Sequence, residues 1–370
     1  MFRRLVWLPI FLALQSTGLA AKVVFVVAQG AGQLHDLRWG LTTLPADQVV
    51  QQWGVPQNGD REDAFPLCAT AGTQLGVKIE WENGETPRPW TVAYALLKST
   101  NSQQTYWFEG LSTFHAPNDI HTFPIPLPTI LDRLVLTGGV IIRQPFGLPG
   151  TPPTRRTIIY NVLSAPQAPM QPAWVSVLNW STVWGYGATT PSQATTLLGD
   201  QLHARGTYNG GFNSYIASAS DSGETFQLRR FLNDPIFPYG ECNEFADFLV
   251  CLANSVGGLN LVAQRSNSIF GNVGFNFNTI DPTGTNSGNQ PHRGQWRYHQ
   301  FGVNPNANFE VWDGCLDFFA PTVPAGPIWG LGRDTTYYGG AWDQGLVSSY
   351  ISGSWSPRPA GGFVPALTTN

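Results

Sequence analysis

Three side chains in the second half of the chain have the chemistry of a covalent acyl-transfer site. Cys242 supplies a thiol, His299 follows it after 57 residues, and Asp313 follows the histidine after another 14. A thiol attacks carbonyls when a neighbouring base takes its proton, and a carboxylate that orients the base completes such a site. The predicted reaction is attack of the Cys242 sulfur on a carboxamide or peptide carbonyl to give a thioester. An amine acceptor would then give cross-linking, whereas water would give peptidase or amidase action.

The thiol lies at the start of a predicted helix that runs from about Cys242 to Val256 and is stopped by Gly257. At about 100° per residue, one face of this helix is apolar, and Cys242 begins it. The opposite side is predicted to carry Asn243, Glu244, Asp247, Cys251 and Asn254. The helix N-terminus carries partial positive charge and free N–H groups, which favour a thiolate and are able to bind an oxyanion.

The other two residues lie on a predicted β-hairpin with a loop at residues 304–308. If the turn is centred on Asn306, His299 pairs directly with Asp313 across the two strands. The same register pairs Val303 with Phe309 and Phe301 with Val311. Alternation along a strand places these six residues on one face, and we expect that face to lie on the helix that starts at Cys242.

These residues resemble the transglutaminase-like superfamily of papain-like cysteine enzymes. The similarity rests on Gly240-Glu241-Cys242, on the helix that ends at Val256-Gly257-Gly258, on His299 and on Val311-Trp312-Asp313, and it covers roughly Pro172 to Phe319. It implies Cys242 as nucleophile, His299 as general base and acid, and Asp313 as the residue that orients the imidazole.

The chain departs from that family pattern at two positions. Many members have Gln before the nucleophile and an aromatic residue after it, whereas Glu241 and Asn243 flank Cys242 here. Glu241 would raise the thiol pKa by like-charge repulsion. Tyr208 and Trp184 are both candidates for the family's oxyanion-stabilising aromatic residue.

Each of the three residues also has a purely structural interpretation. Cys242 would then be a buried thiol or half of a disulfide, His299 a hydrogen-bonded sheet histidine, and Asp313 a turn residue, with Asp317 as the alternative acid. Two disulfides, or one with two free thiols, are compatible with the four cysteines. Cys251 is the expected partner of Cys68 or Cys315.

The predicted fold class is α+β, in two domains. Short β-rich runs between residues 22 and 163 predict an antiparallel β-sandwich of about seven strands. These runs are Val23–Val27, Gly76–Trp81, Trp90–Leu97, Thr105–Glu109, Leu134–Arg143 and Thr157–Val162. A Pro-rich linker at 164–172 then leads to a transglutaminase-like domain at 173–370 with a Gly/Pro-rich tail. In that domain Thr190, Pro191 and Gln193 predict a capped helix ending at Gly206, and strands are expected from Gln295 onward.

Composition limits the protein's partners. Of the 370 residues only 12% are charged, the net charge is −4 and basic residues form no cluster, so nucleic acid is not an expected partner. Residues 1–21 have Arg3 and Arg4, an apolar run and small residues, which is typical of a signal peptide. We therefore expect a secreted, periplasmic or cell-surface protein without stable membrane insertion. A protein or peptide substrate is expected, with no cofactor and no metal.

Two other functions are compatible with the sequence. One is a non-catalytic surface or binding protein that retains a transglutaminase-like fold, an interpretation that Glu241 and Asn243 favour. The other is a carbohydrate-active protein, in which tryptophans would line a sugar-binding face, although we expect most of them in the core. Those tryptophans are Trp39, Trp53, Trp81, Trp90 and Trp107. Asn179-Trp180-Ser181 is a glycosylation sequon.

Overall fold

The computed structural model describes most of the chain between residues 21 and 331, with gaps, and the short strand at 357–358. The described residues are 21–28, 33–39, 42–44, 66–81, 91–111, 120–142, 155–208, 216–219, 223–267, 275–282, 292–296, 298–306, 310–318, 327–331 and 357–358. Residues 1–20, which hold nearly all of the predicted signal peptide, lie outside them.

The first half of the chain consists of β-strands. They are β1 Ala21–Ala28, β2 Leu34–His35, β3 Leu37–Trp39, β4 Thr42–Leu44, β5 Leu67–Thr70, β6 Gln74–Trp81, β7 Thr91–Ser99, β8 Thr105–Leu111, β9 Ile120–Pro126, β10 Asp132–Ile142 and β11 Arg155–Val162. Each of the six predicted runs coincides with a strand, apart from Trp90 and Arg143, which lie outside the described residues. The number of strands expected was too low, because β2 to β5 and β9 were not predicted.

These strands form two main sheets. One has six strands in the order β2-β5-β11-β10-β7-β8, in which only β5 and β11 are parallel. The other has three antiparallel strands in the order β1-β6-β9. β1 contacts β10 and β8 contacts β9, so the two sheets meet at these strands.

The second half mixes helices with further strands. The helices are α1 Val175–Trp184, α2 Pro191–Arg205, α3 Leu228–Leu232 and α4 Cys242–Ser255. The strands are β12 Ala173–Trp174, β13 Thr207–Tyr208, β14 Ile216–Ala219, β15 Gly223–Phe226, β16 Tyr239–Gly240, β17 Val262–Asn267, β18 Phe275–Pro282, β19 His292–Trp296, β20 Tyr298–Asn304, β21 Glu310–Phe318, β22 Pro327–Leu331 and β23 Pro357–Arg358. The protein is therefore a mixed α+β structure, and its strands resume well before Gln295.

The two predicted helices are confirmed within a residue at each end. Thr190 caps α2, since its hydroxyl accepts a hydrogen bond from the backbone N–H of Gln193 at 3.2 Å. In a capping box, the Gln193 side chain would accept a hydrogen bond from the backbone N–H of Thr190. Here Gln193 Oε1 accepts instead from the backbone N–H of Thr189, at 3.0 Å. Helix α1 was not predicted.

A sheet of later strands, antiparallel at every described pair, carries the hairpin β20–β21. Its order is β19-β18-β21-β20-β17-β23, and β22 also pairs with β21. Helices α2 and α4 both pack on this sheet. Gly314 allows their close approach, because a Cβ atom there would lie 3.2 Å from Leu202 of α2 and 3.5 Å from Leu249 of α4.

The segment predicted as a linker is packed against the C-terminal end of α4. The Gln167 backbone N–H donates to the Asn254 carbonyl at 2.8 Å, and the Asn254 side-chain amide donates to the Ala168 carbonyl at 2.6 Å. Met170 is fully buried, in the same core as Tyr160 of β11. The two halves of the chain thus share one continuous core across residues 164–172.

Candidate active site

The first turn of α4 is fixed by two features of its sequence. Glu244 Oε2 accepts a hydrogen bond from the backbone N–H of Glu241 at 2.9 Å, so the helix begins with its own acidic cap. Gly240 leaves room for this cap, since a Cβ atom on it would lie only 2.7 Å from Cβ of Glu244. The backbone before Cys242 is therefore held in one place.

Cys242 is buried, with 7% of its surface exposed. Its thiol donates a hydrogen bond to Asn243 Oδ1, with Sγ and Oδ1 3.2 Å apart. Burial raises the pKa of this thiol, and the nearby carboxyl groups of Glu241, Glu244 and Asp313 raise it further. Both effects favour the protonated thiol over the thiolate.

The backbone of Gln300 in β20 meets the Cys242 sulfur. Its N–H donates a hydrogen bond toward Sγ and opposes part of the upward shift of the thiol pKa. His299 is the residue before Gln300, so the sulfur lies against the peptide unit that joins the two. The structure thus brings the start of α4 and the strand that carries His299 together.

His299 and Asp313 form a short, buried hydrogen bond. Nε2 of the imidazole lies 2.6 Å from Oδ2 of the carboxylate, and the side chains are 0% and 1% exposed. Oδ1 of Asp313 accepts the backbone N–H of Cys315 at 3.1 Å, so both carboxylate oxygens are bonded. The carboxylate fixes the ring through Nε2, and Nδ1 is the nitrogen on the other edge of the ring.

The register of the hairpin differs from the predicted one by two residues. Val303 pairs with Val311 and Gly302 with Trp312, so His299 is not directly opposite Asp313, and Phe309 lies outside the described residues. A shift of two does not change which side chains share a face of the hairpin. His299 and Asp313 therefore still meet, along a diagonal within reach of a long side chain.

The face of the hairpin that packs on α4 was predicted wrongly. Gln300 and Gly314, which alternate with His299 and Asp313, are on the helix side. Gln300 Nε2 donates to Asp247 Oδ1 at 2.9 Å, and both residues are fully buried. Cys242, in the first turn, meets β20 at the Gln300 backbone instead of under the His299 face.

The polar side of α4 is also buried, contrary to the amphipathic pattern. All fourteen residues of the helix, including Asn243, Glu244, Asp247 and Asn254, are buried. Gln300 covers the helix at Asp247, and residues 164–172 cover it at Asn254. The helix is thus enclosed on its polar side as well as its apolar side.

Tyr208 and Trp184 occupy different surroundings. Tyr208 in β13 pairs with Gly240, two residues before the thiol. Trp184 is buried in an aromatic cluster, with its ring centroid 5.3 Å from that of Trp180 and 6.3 Å from that of Phe248. Of the two aromatic candidates, Tyr208 is on the strand beside the backbone that leads into Cys242.

All four cysteines are free, which corrects the disulfide prediction. Cys68, Cys242, Cys251 and Cys315 are each buried and unbridged. Burial raises the pKa of Cys251 well above the ordinary value, with Asp247 adding to the shift. Cys251 is thus a second buried, unbridged thiol on the same helix as Cys242.

Several other predicted features have no role at this site. Asn179 of the sequon accepts a hydrogen bond from the Tyr160 hydroxyl at 2.7 Å, and Ser181 is fully buried in α1. Trp39 and Trp107 are exposed rather than in the core. The side chain of Trp81 and residues Trp53 and Trp90 lie outside what the structure describes. Asp317 is on β21, but the carboxylate hydrogen-bonded to His299 is that of Asp313.

The described residues hold neither a metal-binding cluster nor a membrane-spanning helix. They contain no group of three or more His, Cys, Asp or Glu residues arranged to hold a metal ion. Within the same ranges, no helix has the length and apolar character needed to cross a membrane.

Sequence reasoning missed the contacts that Gln300, Asp247 and Glu244 make. Glu244 had a recognisable signal, since it stands three residues after the cap residue Glu241, the capping-box spacing. Gln300 and Asp247 had none, because they are 53 residues apart and only the packing of α4 on β20 joins them.

Comparison with known proteins gave little. No protein-family model matches the chain, and no curated protein matches it. Among solved structures, the C-terminal domain of wzt is similar to part of the chain, with 13% sequence identity over 41% of this chain and 76% of that one. The TM-score of that pair is 0.25, a value at which the likeness carries no argument.

Proposed function

We propose that the protein is an exported cysteine acyl-transfer enzyme with a transglutaminase-like catalytic half. One observation carries this proposal: the buried hydrogen bond between His299 and Asp313 lies one residue from the backbone N–H that faces the Cys242 sulfur. A buried imidazole with a carboxylate on one ring nitrogen is the arrangement that general-base catalysis by histidine requires.

The neutral thiol determines how the reaction begins. Because burial and three carboxyl groups raise the pKa of Cys242, a standing thiolate–imidazolium pair is disfavoured. The thiol proton passes to Nδ1 of His299 as the sulfur bonds to the carbonyl carbon. Asp313 stabilises the imidazolium that forms. The imidazolium then protonates the leaving amine or ammonia as the C–N bond breaks, and a thioester remains on Cys242.

The thioester is resolved by the reverse proton movements. His299 takes a proton from an incoming amine or water, the acceptor bonds to the carbonyl carbon, and the sulfur leaves as a thiol with that proton. An amine gives a cross-link and water gives hydrolysis. The substrate is proposed to be a protein or peptide carboxamide or peptide bond.

The wider architecture is part of the same proposal. The six-stranded and three-stranded sheets, in contact through β1, β10, β8 and β9, are consistent with an N-terminal β-sandwich. The cleavable segment at residues 1–21 would direct the protein out of the cytoplasm.

The experiment uses two catalytic variants and one matched control. Purified protein is incubated with a glutamine-containing peptide and hydroxylamine, and ammonia, hydroxamate and cleaved peptide are quantified. Cys242→Ala and His299→Ala are expected to lose turnover while remaining folded. Cys251→Ala removes a buried thiol of the same helix and is expected to keep it. Full activity in either catalytic variant would overturn the assignment.

A second candidate is a binding protein in which the site is only structural. The raised thiol pKa, together with the S–H bond to Asn243, favours this alternative. This alternative predicts that the wild type has no turnover. It also predicts that removing the buried His299–Asp313 hydrogen bond changes only the stability of the protein.

A further inference from the structure

We propose that Asp247 is a positioning residue, which holds the backbone of β20 at the start of α4 through its hydrogen bond to Gln300. This placement sets the distance between the Cys242 thiol and the imidazole of His299. The inference rests on the proposed function, because it assigns a further residue to the same site.

Gln300 contacts α4 at two separate points. Its backbone N–H donates toward Cys242 Sγ in the first turn, and its side-chain Nε2 donates to Asp247 Oδ1 at 2.9 Å. Cys242 and Asp247 are five residues apart in the sequence, which corresponds to about 7.5 Å along the helix axis. Two contacts at this separation restrain the strand against both sliding and tilting over the helix, whereas one contact would leave it free to tilt.

The sheet does not set this approach by itself. β20 pairs with β17 from Tyr298 to Val303, whereas its described pairing with β21 ends at Gly302. These backbone ladders hold β20 within the sheet, but they do not determine how closely α4 packs on it. The bond from Gln300 to Asp247 joins the sheet to the helix directly. Both side chains are fully buried, so the bond lies in a setting where hydrogen bonds are stronger than in water.

The peptide unit at the sulfur is the one that joins His299 to Gln300. A movement of the Gln300 N–H away from Sγ therefore also moves the backbone that carries the imidazole. Asp313 holds the far edge of the ring, so the separation of the thiol and the ring changes. A misplacement of about 1 Å can lower a rate by about 10²-fold. A hydrogen bond prefers a narrow range of distance and angle, so it controls this separation more closely than an apolar contact would.

The test measures how fast p-nitrophenyl acetate acetylates Cys242, with the acetylated peptide quantified by mass spectrometry. Asp247→Leu removes the acceptor, and we expect acetylation to slow by about 10- to 100-fold. Gln300→Leu keeps the backbone N–H but removes the side-chain donor, and we expect the same loss. Asp247→Asn keeps an acceptor oxygen and removes only the charge, so we expect it to restore the rate to within a few-fold of wild type.

A His299→Ala background separates positioning from stability. If Asp247 acts by placing the thiol against the imidazole, its loss has little rate left to remove once the imidazole is gone. In that background we expect Asp247→Leu to slow acetylation by about threefold at most. All rates are measured where circular dichroism shows each variant to be folded. If a single variant does not fold, the Asp247→Leu/Gln300→Leu variant serves instead, since it leaves neither partner of the bond unpaired.

A matched control is available on the same helix. Asn254 is also buried, and its amide donates to the carbonyls of Ala168 and Leu261 at the far end of α4. Asn254→Ala is expected to lower stability and to leave the acetylation rate of the folded protein unchanged.

Four results would overturn the inference. Wild-type rates in both Asp247→Leu and Gln300→Leu would show that the bond does not place the thiol. Equal losses in Asp247→Asn and Asp247→Leu would show that the charge matters and the bond does not. Equal slowing by Asp247→Leu with and without His299 would leave only a structural role. If wild-type Cys242 is not acetylated, or His299→Ala is acetylated as fast, the proposed function itself fails, and that outcome is recognised before any Asp247 variant is measured.

Discussion

The hydrogen bond between Gln300 and Asp247 gives a stability prediction that can be worked from the structure. Both side chains are fully buried, and Gln300 Nε2 lies 2.9 Å from Asp247 Oδ1. Gln300→Leu keeps nearly the same volume and removes the donor. Removing one partner of a buried hydrogen bond costs about 1–3 kcal/mol, so we expect the free energy of unfolding to fall by that amount.

A double-mutant cycle makes the prediction specific to this pair. Asp247→Leu alone also leaves a buried polar group without its partner, whereas the double variant replaces both partners with apolar groups. We expect the double variant to lose about 1–3 kcal/mol less unfolding free energy than the two single variants lose together.

Urea unfolding followed by tryptophan fluorescence measures these free energies. Gln201→Leu is the control, because it removes a hydrogen bond to Arg205 on the exposed side of α2 and is expected to change stability by about 0.5 kcal/mol at most. Additive losses in the cycle, or a Gln300→Leu variant as stable as the control, would refute the packing of α4 on β20 described above.

Three further predictions follow from the site and its surroundings. Asp313→Asn keeps a hydrogen-bond acceptor but not the charge, so we expect turnover to fall by about 10²–10⁴ with KM little changed, measured by steady-state kinetics. Burial raises the pKa of Tyr160 to about 12 and that of Cys251 well above its ordinary value. Both groups stabilise the fold below their unfolded pKa values, about 10 and 8.5, so stability should decline by about 1.4 kcal/mol per pH unit and per group above them. Urea midpoints at pH 8, 9, 10 and 11 test this, and Cys251→Ala should lessen the decline between pH 9 and 10, to which Cys242 with its raised pKa still contributes. Gly257 has φ +65°, and a Cβ atom there would overlap Ser164, so Gly257→Ala should lower the thermal midpoint by several degrees, measured by calorimetry.

The ends of the helices could be predicted because local residues determine them. Gly257 with its positive φ stops the backbone after α4, and Thr190 with Pro191 starts α2. The approach of Cys242 to the strand of His299 also follows from local elements, since a helix and a hairpin of these lengths have few ways to pack. The bond between His299 and Asp313 was predictable for the same reason.

The exact pairing of the hairpin could not be predicted. Its loop lacks a two-residue Asn-Gly or Asp-Gly turn that would fix the register, and the apolar residues alternate in the same way after a shift of two. The face that contacts α4 depends on long-range partners. Gln300 is polar yet fully buried, because Asp247 satisfies it, and no periodicity in either segment reveals that pairing.

The burial of α4 on its polar side has a similar cause. Asn254 binds the backbone of residue Ala168 and that of Leu261, so a polar residue becomes part of the core by completing the hydrogen bonds of neighbouring segments. Composition alone predicts such a residue to be exposed. The same long-range packing leaves Cys251 buried and free rather than available for a disulfide.

The central claim, that Cys242 is the nucleophile of an acyl transfer, is tested most directly by trapping the acyl group. Native protein is mixed briefly with p-nitrophenyl acetate, quenched in acid and digested, and the acetylated peptide is identified by mass spectrometry. We predict a hydroxylamine-sensitive acetyl thioester on Cys242, formed faster as pH rises and lost in His299→Ala but not in Cys251→Ala. Acetylation at other residues only, or equal labelling of Cys242 in His299→Ala, would contradict the account.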